Sequence, residues 1–400
     1  MKISWSGQHT RTKALPILIR AMSVIKNELK INIDEWRIDV LGCGSQTKRW
    51  WRLARQLGVG DCFIWHGWLK RDAAQKIVLS TDIFVITSLK DLTSTVTLEA
   101  LSMGKPVICL DHCGFADVVN DTCGIKIPIG TPSNVIAGFA RAIVRMRDAS
   151  FRKCLSVGAL TRAAEYRWDE KVKLLEAIYG GGGKKVLMSA YACSPYHGSE
   201  PGMGWKFVEC ASRRNEVWVI VEQEKWKTEI LAYLKDHPNE MVNVHWEFIH
   251  KPRARHLRKI WPPSYYWFYR IWQWRAYKKA IDLHKELKFD IVHQVNMVGF
   301  RECGFLWRLA ATKFVWGPFG GLGYTDLRLL PLAGFWGAVE LLARNIINCF
   351  HAHFLSRPRK AARRAAADGA LIAATAENQL MAKSIWGVES SVICEIGVNS

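Results

Sequence analysis

The sequence predicts an α/β protein of two domains, each built on a parallel sheet. Three observations carry this. At 400 residues the chain exceeds what one ordinary core organises, so two domains of roughly 200 residues are expected. Short apolar strands alternate with amphipathic helices in both halves, the pattern of open sheets covered on both faces. Between the halves stand four consecutive glycines, Gly180 to Gly183.

In residues 1–179, "WRIDVLGCG" reads as a strand ending in a glycine turn, and "QTKRWWRLARQLGV" has helical spacing. "CFIWHG" and "DIFVIT" are further strands, "STVTLEALSMG" a helix and "PVICL" a strand. "PSNVIAGFARAIVRMR" is a helix opened by Pro132, with Ser133 expected as its cap. Trp168 to Tyr179 is the charged, apolar-striped pattern of a surface helix.

In residues 184–400 the strands are "KVLMSAY", "EVWVIVE", "VNVHWEFI", "DIVHQV" and "KFVWGPFGG"; "KWKTEILAYLKDH" and "AYKKAIDLHKEL" read as helices. The expected boundaries are therefore 1–179 and 184–400, with 180–183 a flexible linker reaching roughly 14 Å when extended. Ligands are expected at the carboxyl ends of the strands.

The composition is that of an ordinary soluble chain, 49% apolar and 23% charged. No uninterrupted apolar run reaches the length of a spanning helix, and "MKISWSGQHTRTK" lacks a signal-peptide core. Eleven scattered cysteines suit a reducing cytoplasm. The net charge of +20 is spread over both halves, with clusters in residues 251–279 and in "RPRKAARRAAADG". In 251–279 the cations alternate with aromatic residues. That pattern suits an anionic membrane surface, or equally a solvated helix whose rings pack inward. No nucleic-acid motif is present, so nucleic acid is not an expected partner.

The most informative stretch is "SLKDLTSTVTLEALSMGKPVICLD". A strand gives way to a polar loop, and a helix starts near Ser94 or Thr95. The amides of such a helix start favour phosphate. Asp91 lies before the helix and Glu99 inside it, so both can face one site and hold sugar and ribose hydroxyls. The plainer reading makes Asp91 a loop acid and Glu99 a surface residue. Cys109, His112, Cys113 and Cys123 have metal-ligand chemistry without zinc spacing, and no metal site is expected.

Asp-x7-Glu followed by "ALSMGKPVI" resembles the Glu-x7-Glu motif of the group 1 family of retaining glycosyltransferases (family 4), whose fold, GT-B, sets two Rossmann-like domains across a cleft. "WSGQHTRTKALPILIRAM" is similar to that family's Gly-Arg-x4-Lys-Gly segment, and "LGCGSQTKRWWRLARQLGVGDCFIWHGWLKR", "GFADVV" and "CGIKIP" extend the resemblance over residues 1–179. "MSAYACSPYHGSEPGMGWKF", "FDIVHQVNMVGFRECGFLWRL", "FVWGPFGG" and "ICEIGVN" resemble the family's other domain, which there comes first. The resemblance therefore implies a circularly permuted order, and the glycine join suggests an engineered one.

The resemblance also implies site roles. Lys13 takes the family's lysine position beside the donor diphosphate, and Gln8 stands where the family has arginine, next to Gly7; Arg11 or His9 is the candidate replacement for the missing charge. Asp91 would hold hydroxyls of the transferred sugar and Glu99 the nucleotide ribose. Ser94, Thr95 and Val96 would offer amides to the phosphates, and Gly67 and Trp68 would meet the nucleobase. Glu200, Pro201 and Gly202 would form a loop over the donor. His197 and His293 are the nearest histidines to the acceptor side, where the base stays unassigned. The implied activity is metal-independent, retaining transfer of a hexose from a nucleotide sugar, UDP-linked, to a glycan or lipid-linked acceptor. The expected setting is the cytoplasm, peripherally at the inner membrane face. An epimerase or hydrolase of the same fold and an inactive nucleotide-binding module are the alternatives.

Overall fold

The computed structural model describes residues 1–252, 261 and 264–398. It divides into two compact units. The first comprises Met1–Arg167 with Tyr324–Asn348 and Gly397–Ser400, the second Trp168–Gly323 with Cys349–Ile396.

The first unit alternates strand and helix. It runs β1 (Lys2–Ser6), α1 (Pro16–Ser23), β2 (Arg37–Leu41), α2 (Thr47–Gln56), β3 (Phe63–Gly67), α3 (Arg71–Leu79) and β4 (Ile83–Val85), then α4 (Thr95–Ser102), β5 (Val107–Leu110), α5 (Cys113–Val118), β6 (Gly124–Ile127), α6 (Pro132–Arg145) and α7 (Ala149–Ala164). The strands form one parallel sheet in the order β3-β2-β1-β4-β5-β6. Chain order reverses at β1, which pairs with both β2 and β4. α1 packs on α6 and α4 on α7. In α1, Ile17, Leu18, Ile19 and Met22 are fully buried, and each such side chain stabilises the fold by about 1.5–3 kcal/mol. The cap of α6 is Thr131, whose hydroxyl accepts from the Asn134 amide, and not Ser133. Pro132 fixes the first helical position, which leaves the cap to the residue before it.

The second unit runs α8 (Trp168–Tyr179), β7 (Lys185–Ala190), α9 (Ser199–Ser212), β8 (Glu216–Glu222), α10 (Gln223–Asp236), β9 (Val244–Ile249), α11 (Ser264–Leu287), β10 (Ile291–Asn296) and β11 (Lys313–Phe319). After a helix shared with the first unit, α12 (Gly334–Phe354), it continues with α13 (Ser356–Ala367), β12 (Leu371–Ala373), α14 (Ala376–Trp386) and β13 (Ser391–Val392). Its parallel sheet has the order β13-β12-β11-β10-β7-β8-β9, reversing at β7.

The glycine tract does not separate these units. Trp168, Val172, Leu175 and Ile178 of α8 are buried, and the helix packs on α9 of the second unit. The buried Lys171 ammonium donates to the carbonyls of Cys394 and Ile396, and burial lowers its pKa. Gly180–Gly183 is therefore a turn inside the second unit. Gly180, Gly181 and Gly183 take φ of +79°, +103° and +75°, a region open to glycine at little cost, and the Gly183 amide donates to Arg214.

Candidate functional site

In a parallel sheet every strand delivers its loop to the same edge, and the crevice opens where chain order reverses. In the first unit that point lies between β1 and β4. The loop after β1 carries Gly7, Gln8 and Lys13; the loop after β4 carries Asp91 and leads into α4. The structure brings these loops together. The Lys13 ammonium is hydrogen-bonded and ion-paired to Asp91 Oδ2. Behind it, the Lys13 carbonyl accepts from Thr87 Oγ1 at 2.7 Å and the Thr12 carbonyl accepts from the Leu89 amide at 2.7 Å. The backbone at Lys13 is thus tied to the segment after β4, the same segment that carries its partner.

Gly7 leaves little room for a side chain. A Cβ there would sit 3.3 Å from the Trp5 ring and 3.7 Å from Lys13 Cδ. Gln8 is exposed. Neither neighbour replaces the charge of an arginine at this position. His9 is buried against Trp5, Trp50 and Trp65, bonded to Thr47 at 2.7 Å, and burial lowers its pKa to about 4, so it is neutral. Arg11 lines a different cavity, with Arg20 and Arg49.

The amino end of α4 is held in a strained turn. Ser94 has φ +69°, a region costly to a non-glycine residue, about 1–3 kcal/mol, and one that gathers at functional sites. The turn is tied from the next loop, where the Gly114 amide donates to the Leu92 carbonyl at 2.7 Å and the His112 ring meets the Ser88 carbonyl at 3.3 Å. Thr95 and Val96 open the helix, where first-turn amides lack intrahelical acceptors. Glu99 points elsewhere than Asp91. It pairs with Arg71 of α3 at 2.8 Å, so the two acids sit in separate ion pairs. Gly67 ends β3 with φ +68°, its carbonyl accepting from the Gly42 amide, and Trp68 follows it at the same sheet edge, 73% exposed. Arg71, Thr87 and Gly114 were invisible to sequence reading; no spacing links them to Glu99, Lys13 or Leu92.

In the second unit the reversal lies between β7 and β10. Glu200, Pro201 and Gly202 lie there in the first turn of α9, not in a loop. Gly198 and Ser199, the latter at φ +55°, turn the chain, and a proline is tolerated in a first helical turn. The Glu200 carboxylate accepts from the Val298 amide at 2.7 Å, and burial raises its pKa. A Cβ on Gly202 would lie 2.3 Å from the His197 carbonyl. His293 is buried, bonded at 2.8 Å to Tyr179 Oη and to the Gly317 carbonyl, and held neutral by burial with a pKa of about 4. His197 is half-exposed beside Glu229.

Glu200 and Pro201 also line a cavity of about 620 Å³ with Tyr191, Glu222, Glu224 and Lys251. The buried Lys251 ammonium donates to Tyr191 Oη at 2.7 Å and stands 3.8 Å from the Tyr265 ring centre. This alters the expected basic-aromatic surface of 251–279. Lys251 is interior, Arg275 is bonded to the His250 carbonyl, and Arg253, Arg255, Arg258 and Lys259 lie outside the described residues. Tyr266, Trp267 and Trp274 are exposed. Among the described residues no group of three or more histidine, cysteine or acidic side chains is placed to hold a metal ion.

At this edge Lys13 and Asp91 meet beside the amino end of α4, while Glu99 faces Arg71 of α3. Residues 2–148 match the family described as glycosyl transferases group 1. That segment contains Lys13, Asp91 and Glu99. An uncharacterized glycosyltransferase of Methanocaldococcus jannaschii is 27% identical over 179 residues, 44% of this chain and 44% of that one. D-inositol 3-phosphate glycosyltransferase of Salinispora arenicola is 27% identical over 185 residues, 44% of this chain and 40% of its own. The chain thus spans less than half the length of these curated relatives. Among solved structures, the pneumococcal O-GlcNAc transferase in complex with UDP and GlcNAc matches 44% of this chain and 34% of its own, at 14% identity and a TM-score of 0.39.

Proposed function

We propose that the chain is a glycosyltransferase that moves a hexose from a UDP-linked donor to a glycan or lipid-linked acceptor with retained anomeric configuration. The observation that carries this is the meeting of Lys13 with Asp91 and the amino end of α4 at the β1/β4 reversal, inside the segment that matches the group 1 family. The amides of Ser94, Thr95 and Val96 would receive the diphosphate, with the helix dipole behind them. Glu99 would hold the ribose, Asp91 a sugar hydroxyl, and Gly67 with Trp68 the base. Donor binding would draw Lys13 from Asp91 toward the diphosphate, where its charge offsets the negative charge of the departing UDP. The C1–O bond to the diphosphate breaks, the acceptor oxygen bonds to C1 on the same face, and the acceptor proton passes to the leaving phosphate. No metal is assigned to this scheme.

The cavity around Lys251, with carboxylates and tyrosines in its walls, supports an acceptor rich in hydroxyls. The exposed Tyr266, Trp267 and Trp274 support contact of 251–279 with an anionic membrane at the cytoplasmic face. The group 1 match in the first half, followed by a second unit of the same class, supports a permuted order. A second reading, nucleotide binding without turnover, is favoured by one observation. Gln8 stands where the family has arginine, and neither His9 nor Arg11 restores the charge.

The test is incubation with UDP-hexoses and an alkyl glycoside acceptor, with the product anomer read by NMR. A retained linkage supports the proposal. Free hexose without product points to a hydrolase. UDP binding without any product selects the second reading.

A further inference from the structure

The first unit holds a second cavity, of about 580 Å³, which none of the proposed donor residues lines. Its walls carry Arg11, Arg20, Lys48, Arg49 and Arg52 and no carboxylate. Among the described residues, none of the five makes an ion pair. Arg11 Nε is buried with no hydrogen-bond partner there. Arg20 has its pKa lowered by burial and by neighbouring Arg49. Five like charges around one cavity repel each other, and a bound anion would relieve that repulsion.

Residues 331–334 complete the wall and lead directly into α12. The Arg49 guanidinium lies 3.8 Å from where a Cβ on Gly334 would be. From there α12 turns an apolar stripe outward: Phe335, Trp336, Val339, Leu342, Ile346 and Ile347, with Phe335 74% and Trp336 67% exposed. Their spacing places them on one face. The opposite face is held on protein. Leu341 is fully buried, Asn345 exchanges hydrogen bonds with the Thr325 backbone, and Gly337 has Arg11 Cβ 3.2 Å from its own Cβ position. Leu327–Phe354 is long and apolar enough to cross a membrane. A helix fastened along one side and carrying the Glu340–Arg344 pair on its flank fits the plane of the membrane instead.

We propose that this cavity and this helix face form one site for an anionic phospholipid at a bilayer surface. The headgroup phosphate sits among Arg20, Arg49 and Arg52, and the stripe enters the acyl boundary. Charge complementarity selects the bilayer over a second copy of the chain, which would bring another five cations to the same place and adds its own net +20. The proposal does not depend on the donor reading, and its residues are distinct from the 251–279 face proposed above for membrane contact.

The experiment is flotation of the full chain with vesicles of phosphatidylcholine alone or with added phosphatidic acid, at about 0.15 M salt. The wild type is expected to float with the acidic vesicles and not the neutral ones. Arg49→Glu/Arg52→Glu should weaken that partitioning by roughly tenfold or more, and Val339→Glu/Ile346→Glu should weaken it at least as much, leaving only what the 251–279 face contributes. Circular dichroism and melting temperature, both unchanged, would show that each variant is folded. If one variant fails to fold, the other decides. Overturning results are equal flotation with both vesicle types, flotation undiminished in both variants, tight binding of glycerol phosphate with no flotation, or a dimer in light scattering that Val339→Glu/Ile346→Glu dissociates.

Discussion

Lys13 and Asp91, 78 residues apart, are joined by an ion pair that closes the crevice between the loops following β1 and β4. Both side chains are partly exposed, so the pair contributes about 1 kcal/mol or less to stability. Its significance lies in what it positions. Lys13→Ala should leave the melting temperature nearly unchanged and lower kcat by about 100-fold or more, as loss of a charge acting on the leaving group does. Steady-state kinetics on the UDP-sugar would check this; a change confined to KM would contradict it.

The Arg71–Glu99 pair separates a surface contact from a ligand contact. Arg71 is 68% exposed on its side chain, so Arg71→Ala should shift stability by less than about 1 kcal/mol. In the proposed role, Glu99 is a charged acceptor for the ribose, so Glu99→Gln should weaken UDP binding by about tenfold. Calorimetric titration of both variants would test the contrast, and equal losses in the two would contradict it.

Glu200 acts as an acceptor for a buried amide more than as a charge. Glu200→Gln can keep the bond to the Val298 amide and relieves a carboxyl whose burial disfavours ionisation, so its stability at neutral pH should equal or exceed wild type. Glu200→Ala leaves that amide without its acceptor and should cost about 1–3 kcal/mol. Urea unfolding would compare the two.

Two buried histidines, His9 and His293, and the partly buried His112 set an acid limit. His9, His112 and His293 all have pKa values lowered from 6.5 to about 4, chiefly by burial. Between those values the unfolded chain binds more protons than the folded one, so stability rises with pH across the window. It is full above 6.5 and is lost as pH falls toward 4, by up to about 1.4 kcal/mol per pH unit for each group. The melting temperature should fall steadily over that range, and less steeply in His293→Gln. A flat profile would contradict the buried, neutral assignment.

Much of the fold was legible in the sequence. Runs such as "EVWVIVE" and "WRIDVL" announce strands by β-branched apolar residues between breakers, and β8 and β2 fall on them. The amino end of α4 was legible from its Ser/Thr run. What was not legible depends on strand order or on three-dimensional burial. Asp91 and Glu99 share a short motif, yet one turns to β1 and the other to α3. The α6 cap needed a choice between hydroxyls on either side of a proline. Lys251 read as a surface cation because pattern alone cannot show three tyrosines closing round it. The stripe on α12 was missed because helical periodicity says which residues share a face, not whether that face points inward.

The central claim is that residues 1–148 hold a nucleotide-sugar site at the β1/β4 reversal. The most direct measurement is calorimetric titration of UDP, GDP and ADP into the protein and into Lys13→Ala/Glu99→Ala. The account predicts saturable binding of UDP in preference to the other two, lost in the double variant while its circular dichroism is unchanged. No binding of any nucleotide by the folded protein, or UDP binding that survives the double variant, would contradict it.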